Sequence, residues 1–119
     1  LGAIRLMAYK LRNAYRARDL QAETLNKKIK ESPFPVIVCG DFNDVPNSYT
    51  YFTVKGKLQD AFLKKGSGFG KSLAMIPVFP LRIDYILADK KFDVTQCNVI
   101  EASYSDHYPI VADLTLPQN

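Results

Sequence analysis

Phe34-Pro35-Val36-Ile37-Val38-Cys39-Gly40-Asp41-Phe42-Asn43 begins between two prolines, runs through four apolar residues and ends in a polar turn opened by glycine. Neither face of the apolar run carries a polar side chain, the mark of a strand covered on both sides. A central strand over Phe34 to Cys39, within a sheet buried on each face, is therefore expected. The stretch from Gly40 to Asn47 is rich in Gly, Asp, Asn and Pro and reads as the loop leaving the end of that strand.

Upstream, Tyr9 to Lys30 contains no Gly or Pro, and Leu11, Tyr15, Arg18, Ala22, Leu25 and Ile29 recur at spacings of four and three. This is one stripe of an amphipathic helix with Arg18 as its single polar interruption. Ser32-Pro33 ends it, because the residue before proline is driven out of the helical region. Downstream, a short helix over Ser48 to Lys55 is expected, capped by Asn47 or Ser48 and stopped at Gly56. Gly56 to Pro80 reads as a long loop, and Gly66-Ser67-Gly68-Phe69-Gly70-Lys71 within it as a mobile surface segment, since no strand-to-helix context makes it a phosphate cradle.

Three strands complete the pattern. In Leu81 to Leu87 the odd positions are apolar, so Arg82 and Asp84 share the opposite face. Phe92 to Ile100 is rich in strand formers, but its alternation slips near Gln96, the signature of a bulge. Finally, Ile110, Ala112, Leu114 and Leu116 alternate with Val111, Asp113 and Thr115.

The bulk composition sets the bounds. A chain of 119 residues, 47% hydrophobic with seven tyrosines and seven phenylalanines, is enough for one domain spanning 1–119 with a core of its own. The opening Leu1 to Ala8 is too short and, with Arg5, too polar for a signal peptide, and no apolar run approaches the roughly 18 to 20 residues of a membrane helix. The chain itself is expected to be soluble, and its compartment stays open. A net charge of +4 suits a polyanionic partner, but the lysines lie in scattered pairs (Lys27-Lys28, Lys64-Lys65, Lys90-Lys91) typical of solvated surface. Cys39 and Cys97 both fall in strand-like runs, so two buried thiols are expected rather than a disulfide.

The chemistry-bearing residues gather at strand ends. Asp41 and Asn43 follow the apolar strand, Asp84 lies inside another, and Asp106-His107 precedes the last. Singly each has an ordinary explanation: Asp41 to Asp44 as turn chemistry, Arg82 with Asp84 as a local ion pair, Ser105-Asp106-His107 as a turn. Together, and in this order, Gly40-Asp41-Phe42-Asn43, Arg82-Ile83-Asp84-Tyr85 and Ser105-Asp106-His107 resemble the endonuclease/exonuclease/phosphatase superfamily, which includes exonuclease III, pancreatic deoxyribonuclease, inositol polyphosphate phosphatases and neutral sphingomyelinases. The likeness runs from about Leu20 to Leu116.

That resemblance implies an α+β fold, half of a four-layer α/β/β/α sandwich, in which this chain supplies one mixed, mostly antiparallel sheet with outer helices. It also implies a metal-dependent phosphoesterase. Asp41 would orient or deprotonate the attacking water, and Asn43 would hold the phosphoryl group or a second metal. His107 would stabilise the pentacovalent transition state, with Asp84 on its other ring nitrogen, and Asp106 would join Asp41 and Asn43 at the metal, directly or through water. Carboxylate and amide oxygens are hard ligands suited to Mg²⁺ or Mn²⁺, whereas two distant cysteines and one histidine make no closed zinc site.

The family's N-terminal half supplies an asparagine and a metal-binding glutamate on early strands and a histidine or tyrosine in mid-chain, and none has a counterpart here. The chain is therefore expected to be the C-terminal half of such a domain, inactive alone and prone to self-association through an uncovered sheet face. The substrate would be a phosphate ester of nucleic acid or of a phospholipid headgroup. A rival reading is a non-catalytic module that binds either polyanion through its basic surface, and the joint presence of Asp41, Asn43, Asp84, Asp106 and His107 argues against it.

Overall fold

The computed structural model describes residues 1–74 and 80–118. Met75 and Phe79, which the sequence places in the Gly56 to Pro80 segment, lie outside them. Helix α1 (Gly2–Glu31) is followed by β1 (Ile37–Asp41), α2 (Tyr49–Lys55), β2 (Gln59–Asp60), α3 (Ala61–Lys65), β3 (Asp84–Ala88), β4 (Asp93–Val99) and β5 (Ile110–Thr115). Helix and antiparallel sheet are thus mixed along the chain, an α+β fold. Among the described residues no helix is long and apolar enough to cross a membrane.

Helix α1 starts seven residues ahead of the expected Tyr9, because Ala3, Ile4, Leu6, Met7 and Ala8 are helix-compatible and Ile4 and Met7 continue the same stripe. It stops where proline requires, with Ser32 in the extended region. Only the C-terminal half of the stripe is used: Ala22 is buried, and Leu25 and Ile29 pack with it against Tyr51, Val54, Leu58, Tyr85 and Leu87. Leu11 and Tyr15 remain 53% and 55% exposed. Helix α2 forms as its signals dictate, with the Ser48 hydroxyl accepting the Tyr51 N–H at 3.1 Å and Gly56 at φ 46° just past its end.

The strand covered on both faces is β3, not the Phe34 to Cys39 run. The first sheet has the order β1-β3-β2, so β3 is central. Its alternate residues face two cores: Tyr85 and Leu87 meet the α1–α2 cluster, while Ile86 meets Ala61, Phe62, Val94 and Cys97. β1 hydrogen-bonds β3 alone among the described residues; Val38 packs toward the helices, but Ile37 is 44% exposed and Cys39 is exposed. An apolar pattern on two faces shows that a strand is compatible with two layers, and among the described residues β1 is covered on one side, at Val38. The expectation of two buried thiols therefore holds for Cys97 and fails for Cys39; both are free.

Two further expectations are corrected. Among the described residues the strands form two hydrogen-bonded sheets rather than one: β4 and β5 pair with each other, with a register shift between Val94 and Gln96 where the alternation slips, and meet β3 through side chains. The Gly56 to Pro80 segment is not a plain loop, since it contains β2 and α3. Asp60 caps α3 by accepting the Phe62 and Leu63 N–H groups at 3.0 and 3.4 Å. In the glycine-rich segment the tip is exposed at Phe69, but Gly70 is buried at φ 68°, where a Cβ would meet Arg82 Cδ and Phe62 Cζ at 2.7 Å.

Candidate active site

The antiparallel register of β1 and β3 sets Asp41 directly opposite Asp84. Like charges across a ladder repel, and the ring of His107 lies between them. Its Nδ1 is 2.8 Å from Asp84 Oδ2 and its Nε2 is 3.6 Å from Asp41 Oδ2. A carboxylate accepts only, so Nδ1 carries the proton toward Asp84. That hydrogen bond, reinforced by the charges of Asp84, Asp41 and Asp106, raises the His107 pKa above its ordinary 6.5 against a smaller opposing effect of desolvation. The histidine is delivered by a segment that runs antiparallel to residues 72–74: Ala74 N–H donates to Asp106 O and Tyr108 N–H to Ser72 O, each at 2.7 Å.

The Asp41 end is built as a fixed turn. Phe42 N–H donates to Ile83 O at 2.9 Å, and the Phe42 ring packs 4.8 Å from Tyr85. Asn43 occupies the left-handed region at φ 51°, tolerated by Asn more than by most residues, and its N–H donates to Asp41 Oδ1 at 2.7 Å. Arg18 reaches across from α1 to Asn43 O at 3.3 Å and Asp44 Oδ2 at 3.5 Å. This accounts for the one polar residue in the helix stripe. A cleft of about 270 Å³ between α1 and this turn is lined by Arg18, Gln21, Asp41 and Asn43.

Of the residues singled out in the sequence, Asp41, Asp84 and His107 come together, each offering a donor atom within 4.8 Å of the others. Asn43 is joined to them through its backbone. Asp106 is exposed, contacts Ser105 Oγ at 3.2 Å and stands outside that cluster. The Arg82–Asp84 ion pair does not form; Arg82 Nη1 instead holds both oxygens of buried Asp60 at 2.8 and 3.0 Å, its guanidinium 4.9 and 5.0 Å from the Tyr85 and Phe62 rings.

The family model for the endonuclease/exonuclease/phosphatase family matches residues 4–107. The chain belongs to that family. Solved members resemble it closely in fold. A Bacteroides thetaiotaomicron family protein is 26% identical with a TM-score of 0.74, aligning over 87% of this chain and 46% of its own. A Bacteroides vulgatus family protein is 27% identical with a TM-score of 0.73, over 86% and 45%. A Bacteroides thetaiotaomicron mannosyl-6-phosphatase, 24% identical with a TM-score of 0.63 over 82% and 44%, shares the fold. The chain therefore spans a little under half the length of these neighbours. A search of curated proteins finds no match.

Enzymes of this family generally use divalent metals. The donors fit a hard cation in kind: the exposed carboxylates of Asp41 and Asp106 offer oxygen, while Asp84 is engaged by the His107 ring. They fall short of the six oxygens Mg²⁺ takes. Sequence reasoning missed Asp60 and Ser72. Asp60 had a signal, an Asp before a short apolar helix closed by Lys64, Lys65 and Gly66; Ser72 had none.

Proposed function

We propose that this chain carries the C-terminal part of the active site of a metal-dependent phosphoesterase. The observation that carries the reading is the Asp84–His107–Asp41 array: one imidazole hydrogen-bonded to a carboxylate at 2.8 Å, with its free nitrogen aimed beside a second carboxylate at the sheet end. Asp41, Asn43, Asp84 and His107 are the catalytic set, and Asp41, Asn43 and Asp106 the side that would hold Mg²⁺ or Mn²⁺. When bound, the metal supplies positive charge to the non-bridging phosphate oxygens.

The protein's own groups divide the remaining work. Asp84 favours the charged form of His107 and fixes its ring, so that an Nε2–H can be offered to the phosphoryl oxygen on which charge accumulates. Asp41 Oδ2, close to that nitrogen, accepts the proton of the attacking water. Asn43 contributes an amide to hold the phosphoryl group. The substrate class is a phosphate ester; monoester and diester both suit the site, and selectivity lies in surrounding loops. The polypeptide that completes the family domain is the expected partner, because the glutamate found there in the family has no counterpart in this chain.

In the full-length protein, hydrolysis of a generic phosphate ester should require Mg²⁺ or Mn²⁺ and stop with EDTA. Asp41→Ala and His107→Ala should each lower the rate at least about a hundredfold with the fold intact, and the 119-residue chain alone should be inactive. Metal-independent turnover, or a His107→Ala protein of normal rate, would sink the mechanism.

A further inference from the structure

Asp84 and His107 sit on segments far apart in sequence, and their 2.8 Å hydrogen bond depends on those segments holding a common register. One residue, Ser72, reaches both, with its hydroxyl on the Asp84 side and its backbone carbonyl on the His107 side. Ser72 is fully buried. Its hydroxyl oxygen accepts the N–H of Ile83 at 3.0 Å and of Asp84 at 3.1 Å, and its carbonyl accepts the N–H of Tyr108 at 2.7 Å. The Ser72 N–H donates in turn to Leu81 O at 2.9 Å. Residue 72 thus bonds to the backbone of Asp84 on one side and to the residue after His107 on the other.

The placement has a physical reason. β3 begins at Asp84, so the N–H groups of Ile83 and Asp84 lie at the very start of the strand; here a hydroxyl, which has two lone pairs, takes both. Buried N–H groups need such a partner. A small residue without a hydroxyl would leave two of them unpaired, and β3 would shift away from the 72–74 segment that pairs with 106–108.

On the reading of the site given above, we infer that Ser72 is the positioning residue of the Asp84–His107 pair. It contacts no substrate; it sets the distance and angle at which the carboxylate meets the imidazole. Displacement of a catalytic group by about 1 Å costs on the order of a hundredfold in rate, so the effect should be large for a residue outside the cleft.

The test uses two readouts. In the 119-residue chain, the His107 Nδ1–H proton, held by Asp84, should give a slowly exchanging, downfield NMR signal at low temperature. Ser72→Ala should broaden or abolish it while the amide spectrum of β4 and β5 is unchanged. In the full-length enzyme Ser72→Ala should lower kcat by about tenfold to a hundredfold with KM within about threefold, and Ser72→Thr, which keeps the hydroxyl, should recover most of the rate. Should Ser72→Ala not fold, Ser72→Cys, of similar shape but a weak acceptor, decides: a weakened signal and rate support the inference. A His107 signal and kcat in Ser72→Ala or Ser72→Cys equal to wild type would overturn it. Failure of the phosphoesterase reading would appear separately, as a wild-type protein without metal-dependent turnover.

Discussion

His107 is the chain's single histidine, so its titration can be followed without assignment ambiguity. Its pKa is raised by the Asp84 hydrogen bond, and a group whose folded pKa exceeds its unfolded one adds stability at pH below the unfolded value, about 6.5, that is lost as pH rises through the folded value. Asp84→Asn should return the ring toward its ordinary pKa and remove that pH dependence; NMR titration beside urea midpoints at several pH values measures both, and an unchanged titration in the variant would contradict the assignment. The buried Asp60–Arg82 pair, 1% and 4% exposed, behaves differently. Removing one partner leaves a charge without its counter-ion, so Arg82→Met should cost about 3 to 5 kcal/mol in urea unfolding, more than Lys27→Met at the exposed Lys27–Glu31 pair.

Among the elements, α2 follows the Asp41 turn, lends Thr50 and Val54 to the cleft lining and packs Tyr51 against Tyr85 at 4.9 Å between centroids. Its start depends on the Ser48 hydroxyl. Ser48→Ala should lower stability by about 1 kcal/mol in thermal or urea unfolding, and Ser48→Asp should restore it. The core strand β3 owes its centrality to two clusters on opposite faces, so Tyr85 and Ile86, adjacent in sequence, stabilise different halves of the fold.

At the scale of the whole molecule, the apolar surface left open is the dominant physical fact. Ile4, Met7, Leu11 and Tyr15 continue the α1 stripe at exposures of 70, 63, 53 and 55%, and Ile37 on β1 is 44% exposed. Burying such surface is worth about 25 cal/mol per Å², a drive toward any partner that covers it. The 119-residue chain should therefore self-associate across a concentration series in sedimentation velocity, and Met7→Glu with Leu11→Glu should shift it toward monomer. A wild-type chain that stays monomeric throughout would refute this.

Local signals in the sequence determined the end of α1 at Ser32-Pro33, the capped helix α2, the bulge near Gln96 and the alternation of β5, because each depends on backbone preferences or side-chain period within a few residues. They also gave the motifs at Asp41, Asp84 and His107, which stand at or beside strand ends. What only the tertiary structure decided is which groups meet. Arg82 looks toward Asp84 along the strand, yet its partner is Asp60, twenty-two residues away, because the strand begins two residues after Arg82 and burial demands a counter-ion within reach. Cys39 has the surroundings of a core residue in sequence and is exposed, because burial belongs to the layers that assemble around a strand and not to the strand itself. Ser72 has no local signature at all: a hydroxyl's role is set by the unpaired N–H groups brought to it from β3, and those arrive only when the chain folds.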